Sequence, residues 1–260
     1  MKHQMKKKYG QNFLKDRNLL HKIVKSSDIA GKTVIEIGPG QGAMTGLLAT
    51  EARHVYAYEI DTTLKPFLDQ IEQEHPNLDI IYEDILKADM NRHGPAHVVA
   101  NVPYYITTPI LFNILAAQDI KTASLMVQKE VCDRLLAKPG TKAYNALSVL
   151  LQYQADVYKM MDVKRQLFYP VPNVDSAVIR IIKHETATLD EKAESRFIKL
   201  VKAAFTQKRK TLVNNWHQAF GIEKAHLETW LDAQGISPLV RAEALTLETF
   251  VRLAREWPHD

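Results

Sequence analysis

From residue 33 to residue 137 the chain alternates short β-branched runs with amphipathic stretches. This alternation restricts the fold more than any other feature. "TVIEI" (33–37) ends at Gly-Pro-Gly, which reads as a buried strand closing in a tight turn. A helix is expected over 43–52, a second strand over 54–60, and a helix over 64–74 with Pro66 in its first turn. Further strands are expected at 78–84, 97–101 and 123–127, with helices at 109–117 and 129–137. Short apolar strands separated by helices predict an α/β fold with a parallel, doubly wound sheet. Two more strand-like runs, 156–163 and 176–183, suit an antiparallel edge. Beyond about residue 185 every segment is amphipathic at helical period. The expected division is therefore a sheet domain over 1–185 and a small all-helical domain over 186–260.

Composition excludes several classes. With 46% apolar and 25% charged residues the chain should fold rather than remain disordered. No apolar run reaches the length of a bilayer span, and the basic start lacks the apolar core of a secretory signal. Cys132 is the single cysteine, so no intramolecular disulfide is possible and a cytoplasmic setting is expected. The ten histidines show no ligand spacing, and no metal is expected. The net charge of +4 is unevenly spread. Residues 1–25 hold eight Lys or Arg, among them Lys6, Lys7 and Lys8, against the single acid Asp16. Residues 196–210 hold six, ending in Lys208, Arg209 and Lys210, and no acid. Two basic clusters in an otherwise balanced chain suit contact with nucleic-acid phosphates.

The chemistry-bearing residues fall at the ends of the expected strands. "EIGPGQG" (36–42) follows the first strand and opens the first helix. Gly38 and Gly40 let the backbone turn and approach a ligand, and the helix beyond offers free N–H groups. Glu59 ends the second strand, about 20 residues past the first glycine, where a carboxylate can accept from both hydroxyls of a ribose. NAD and S-adenosylmethionine both carry such a ribose, and these residues do not separate them. Asp84 follows the third strand. It can accept from an adenine amino group, with Ile85 beside the ring.

The fourth strand ends in "ANVPYY" (100–105). Asn101 offers an amide oxygen and Val102 a carbonyl. Pro103 has no N–H and fixes its own φ, holding that carbonyl inward. Tyr104 presents a flat face for a base. Two acceptors on the hydrogens of an exocyclic amine can aim its lone pair at a methyl sulfonium. No strong base is needed, because the proton becomes acidic once the nitrogen is alkylated. Such catalysis is positioning plus electrostatics.

"NVPY" resembles the motif of amino-group methyltransferases, with Val102 where the common form has Leu. Together with "YGQNFL" (9–14), "EIGPGQGAMT" (36–45), "PGTKAYNALSV" (139–149), "FYPVPNVDSAVIR" (168–180) and "FTQKRKTLVNN" (205–215), it makes the chain similar along nearly its whole length to the KsgA family of ribosomal RNA adenine dimethyltransferases. The resemblance implies a class I, Rossmann-like S-adenosylmethionine methyltransferase domain and a helical domain that docks on ribosomal RNA. It implies that Asn12 and Leu14 close over S-adenosylmethionine, with Gln11 near its methionine end. Gly38 and Gly40 would line that cofactor, Glu59 with Ile60 hold its ribose, and Asp84 with Ile85 hold its adenine. Asn101 and the Val102 carbonyl would orient the target N6, with Tyr104 and Phe168 covering the base. The implied substrates are two adjacent adenines in the 3′-terminal hairpin of 16S ribosomal RNA within the small subunit, each methylated twice, late in subunit assembly. A monomer is expected.

Two related readings belong beside this one. Erm enzymes, which modify one adenine of 23S ribosomal RNA, share the fold and an N-[IV]-P-Y motif, but "PGTKAYNALSV" and "FTQKRKTLVNN" look like KsgA. A non-catalytic RNA-binding relative would not need the full set Gly38, Glu59, Asp84, Asn101 and Tyr104. A nicotinamide-dependent oxidoreductase would need neither "NVPY" nor basic clusters. Trp216, Trp230 and Trp257 read as core of the helical domain, and Tyr105 as packing or pocket wall.

Overall fold

A computed structural model describes residues 12–186 and 188–258. Nine strands occur among them: β1 (Phe13–Leu14), β2 (Thr33–Ile37), β3 (His54–Tyr58), β4 (Leu78–Ile81), β5 (Ala96–Asn101), β6 (Ile120–Gln128), β7 (Ala155–Val163), β8 (Phe168–Tyr169) and β9 (Ser176–Lys183). The helices are α1 (Arg17–Ser26), α2 (Thr45–Glu51), α3 (Lys65–Glu74), α4 (Thr107–Ala116), α5 (Lys129–Leu135), α6 (Ala146–Gln154), α7 (Glu191–Ala204), α8 (Leu212–Phe220), α9 (Lys224–Ala233) and α10 (Leu247–Arg255).

Seven strands form one sheet in the order β4-β3-β2-β5-β6-β9-β7. Its first five are parallel, and β9 runs antiparallel to β6. The mostly parallel sheet with an antiparallel edge is therefore present. All five residues of β2 are buried, which explains why it reads as a continuous β-branched run rather than an alternating one. The chain leaves β2 toward β3 and β4 on one side, then crosses to β5 on the other. Ligands bind outside the carboxyl ends of the strands at such a switch point. The core on one face of this sheet gathers Val34, Val55, Val99 and Val178 with Leu48 of α2 and Leu20, Ile23 and Val24 of α1. Asp16 caps α1 by accepting from the Leu19 N–H at 3.0 Å. A second ladder, invisible in the periodicity, pairs β1 with β8.

The chain divides into two compact units, but not at one point. The sheet unit holds the described residues up to 132 together with 157–183; the helical unit holds 133–156 and 184 onward. The expected contiguous division at 185/186 thus needs correction. The segment 133–156, with α6, joins the helical unit because Tyr144, Val149, Leu150 and Tyr153 are buried with Phe197, Trp216, Leu231 and Phe250 in a separate core. Asn145 and Ser148 close a reciprocal capping box at the start of α6. Trp216, Trp230 and Trp257 pack edge-on or tilted, with ring centroids 5.1–6.3 Å apart, inside that core. No described helix is long and apolar enough to cross a membrane.

Candidate active site

Two adjoining cavities open at the carboxyl ends of β2, β3 and β5. The smaller, about 370 Å³, is lined by Asn12, Gly38, Gly40, Glu59, Ile60, Asp84, Ile85, Asn101, Val102, Pro103 and Tyr104. Residues picked from four separate motifs thus share one wall. The larger, about 990 Å³, takes in Leu14, Glu36, Gly42, Met126 and Tyr169 and also touches Gly38 and Asn101.

The glycine loop is shaped by its φ angles. Gly38 has φ +70°, and a Cβ there would meet nothing within 4 Å. Its bare backbone faces open space. Its N–H donates to the Tyr58 carbonyl at 2.9 Å and ties the end of β2 to β3. Gly40 has φ +60°, and a Cβ there would lie 2.6 Å from Phe13 Cε1. The absence of a side chain is what admits the β1 segment. The Gly40 N–H donates to Glu59 Oε2 at 3.1 Å, and the Asp61 N–H donates to Oε1 at 2.8 Å. Burial pushes the Glu59 carboxyl up from its ordinary value, and these two donors pull it back down. The carboxylate is held in place before any ligand arrives. Asp84 Oδ1 accepts from the Leu86 N–H at 3.0 Å, which fixes the turn that carries Ile85.

Asn101 ends β5. Its Nδ2 donates to the Asn12 carbonyl at 3.1 Å, and its oxygen accepts no hydrogen bond among the described residues, which leaves it for a ligand. The Val102 N–H donates to Met126 O at 3.3 Å, and Pro103 takes φ −57°, ψ 127°. The Pro103 carbonyl is used by the Ile106 N–H, while the Val102 carbonyl accepts no hydrogen bond among the described residues. Tyr104 is anchored through its hydroxyl, 2.7 Å from Ser176 Oγ at the start of β9. Burial pushes that phenol up from its ordinary value.

The structure departs from one expectation. Phe168 is only 2% exposed and lines neither cavity. It packs in the core beside Leu14, its β1 partner, so it covers no base from where it stands. Lys208, Arg209 and Lys210 lie exposed on the turn between α7 and α8, in the helical unit. Gln11, Lys6, Lys7 and Lys8 lie outside the described residues.

The sequence reading gave no role to Glu36. It is 1% exposed, it lines the larger cavity, and its Oε2 has no hydrogen-bond partner among the described residues. Burial raises its pKa to about 8, with the Thr45 hydroxyl lowering it and Glu59 raising it. Its signal was a charged residue inside the otherwise apolar "TVIEI". No described cluster of His, Cys, Asp or Glu could hold a metal.

The family model for ribosomal RNA adenine dimethylase matches residues 2–257. The chain belongs to the ribosomal RNA adenine dimethylase family. A ribosomal RNA small subunit methyltransferase A from Onion yellows phytoplasma is 47% identical over 99% of this chain and 97% of its own length. Among solved structures, a dimethyladenosine transferase from Plasmodium falciparum matches with TM-score 0.80 at 26% identity, covering 94% of this chain and 97% of that one. The 23S ribosomal RNA methyltransferase ErmE matches with TM-score 0.75 at 29% identity, covering 95% and 100%. The fold is a class I methyltransferase fold with a helical C-terminal part.

Proposed function

We propose that this enzyme dimethylates N6 of two adjacent adenines in the 3′-terminal hairpin of 16S ribosomal RNA. It uses S-adenosylmethionine and acts on the small subunit late in its assembly, as a cytoplasmic monomer. The observation that carries the reading is Asn101, which stands in the wall of both cavities with its amide oxygen uncommitted. Relatives that are 42–47% identical over nearly the whole chain bear the name ribosomal RNA small subunit methyltransferase A, which favours the small subunit over the substrate of ErmE.

The residues fit the cofactor. Glu59 is oriented to accept from two ribose hydroxyls, Asp84 and Ile85 suit an adenine, and Gly38 leaves room for a close approach. The unpartnered oxygen of buried Glu36 would be satisfied by an ammonium group, which the methionine end carries. Bound S-adenosylmethionine supplies an electrophilic methyl group. On the substrate side, Asn101 Oδ1 and the Val102 carbonyl accept the two N6 hydrogens and hold the nitrogen lone pair toward the cavity. Tyr104 gives the extruded base a face, and its bond to Ser176 keeps the ring from turning. The proton released on N–C bond formation passes to one of the two acceptors and on to water. Lys208, Arg209 and Lys210, with Lys6, Lys7 and Lys8, supply phosphate contacts.

Radiolabelled S-adenosylmethionine tests the reading. Unmethylated small subunits and protein-free large-subunit RNA are offered separately, and label is located by nuclease mapping. Label on adjacent adenines of the small-subunit 3′ hairpin is expected. Label on a single large-subunit adenine would mean an Erm-type activity instead.

A further inference from the structure

β8 is two residues long, and its pleat sends the two rings to opposite sides. Phe168 goes into the core, while Tyr169 is 52% exposed and lines the larger cavity. The position of Tyr169 is fixed from behind. Phe13 pairs with Tyr169 across the β1–β8 ladder, and the Lys15 N–H donates to the Leu167 carbonyl at 3.0 Å. The Lys15 ammonium lies 4.0 Å from the centre of the Tyr169 ring. Lys15, Arg17 and His21 are all exposed and all line the same cavity. Among the described residues neither Lys15 nor Arg17 is in an ion pair. An exposed ring with a cation on one face, beside a second cation, has the make-up of a single-stranded nucleotide site: the ring stacks a base and the cations meet its phosphates.

We infer that Tyr169 and Lys15, with Arg17, form a subsite for the nucleotide next to the target adenine, its base stacking on Tyr169. The cavity they line runs on to Asn101, so an occupant there is continuous with the reacting base. This inference rests on the proposed function and names how its substrate is gripped. It also gives the exposed neighbour of Phe168 the stacking role that the buried ring cannot fill. Tyr169 is a positioning residue for the strand, remote from the transferred group, so it acts on substrate affinity and leaves the chemical step alone.

The test compares Tyr169→Ala, Tyr169→Phe and Lys15→Ala with the unmodified enzyme on unmethylated small subunits. Tyr169→Ala should raise KM for the subunit about tenfold, with kcat within about twofold and S-adenosylmethionine affinity unchanged. Tyr169→Phe keeps the ring and should behave as the unmodified enzyme. Lys15→Ala should flatten the dependence of log KM on log salt by about 0.7, the share of one phosphate contact on a single strand. An unchanged KM in Tyr169→Ala overturns the inference. So does a loss of S-adenosylmethionine affinity in Lys15→Ala, which would assign the cation to the cofactor carboxylate. If the unmodified enzyme transfers no methyl to small subunits, the proposed function falls. Filter binding of the same subunits to the unmodified protein and to Tyr169→Ala then still decides the inference: about tenfold weaker binding by the variant sustains it, and equal binding or none sinks it.

Discussion

Glu59 in the smaller cavity and Glu36 in the larger one lie near the carboxyl ends of neighbouring parallel strands, and burial raises the pKa of both. Their surroundings differ. Glu59 accepts from two backbone N–H groups, while Glu36 has an oxygen with no partner. A carboxylate held by fixed donors is preorganised to accept further hydrogen bonds from a neutral ligand, because its orientation costs nothing on binding. One that lacks such backbone donors among the described residues, with one oxygen unpartnered, favours its proton until a cation arrives. The two carboxylates are therefore suited to the two ends of one molecule, a neutral nucleoside and a charged amino acid. Asn101, common to both cavities, sits where those ends would meet.

The largest effect should come from that shared residue. Asn101→Ala removes an acceptor aimed at the amine and the bond to the Asn12 carbonyl. Turnover should fall by about 10² to 10³, the range seen when one aligned catalytic dipole is lost, while subunit binding stays intact. Single-turnover methylation together with filter binding measures both, and methylation at the unmodified rate would remove Asn101 from the chemistry. Glu59→Ala tests the smaller cavity. It should weaken S-adenosylmethionine binding by about 10²-fold, from two charged hydrogen bonds at about 1.5 kcal/mol each. Calorimetric titration reads this, and unchanged affinity would end the ribose assignment. Gly40→Ala comes next. Its φ of +60° and the nearness of Phe13 predict a cost of about 1–2 kcal/mol in stability and roughly tenfold in cofactor affinity. An unchanged melting temperature would mean that the β1 segment yields freely.

Much of this was legible because parallel strands announce themselves. β2 and β5 are buried runs of β-branched and small residues, and Gly38 and Asn101 stand at their ends; Glu59 and Asp84 follow the two strands beyond. The site could be assembled from strand ends alone. What stayed hidden depended on contacts distant in the chain. Residues 133–156 show nothing in sequence that assigns them to either unit, and only packing against Phe197 and Trp216 places them in the helical one. A two-residue strand such as β8 has no period to read, so which of Phe168 and Tyr169 faces outward could not be inferred. The missing partner of Glu36 is likewise a tertiary fact. In sequence a Glu in a strand looks the same whether or not a donor faces it.

Glu36 offers the smallest change in affinity and the sharpest separation of the two carboxylates. In the ligand-free folded state it keeps its proton up to about pH 8, while in the unfolded chain it loses it near 4.5. Between those values the folded state binds the additional proton, so stability falls as pH rises, by up to about 1.4 kcal/mol per pH unit. Glu36→Gln fills the same space and cannot ionise. It should flatten the fall in melting temperature between pH 5 and pH 8 and leave the protein more stable than the parent at pH 8. The same substitution should weaken S-adenosylmethionine only about fivefold, since one ion pair is lost and its desolvation cost is lost with it. Proton release on cofactor binding near pH 7, measured by titration in buffers of different ionisation heat, should vanish with it. An unchanged pH profile in Glu36→Gln would mean that Glu36 is already ionised in the folded protein, and the contrast between the two cavities would collapse to one of size alone.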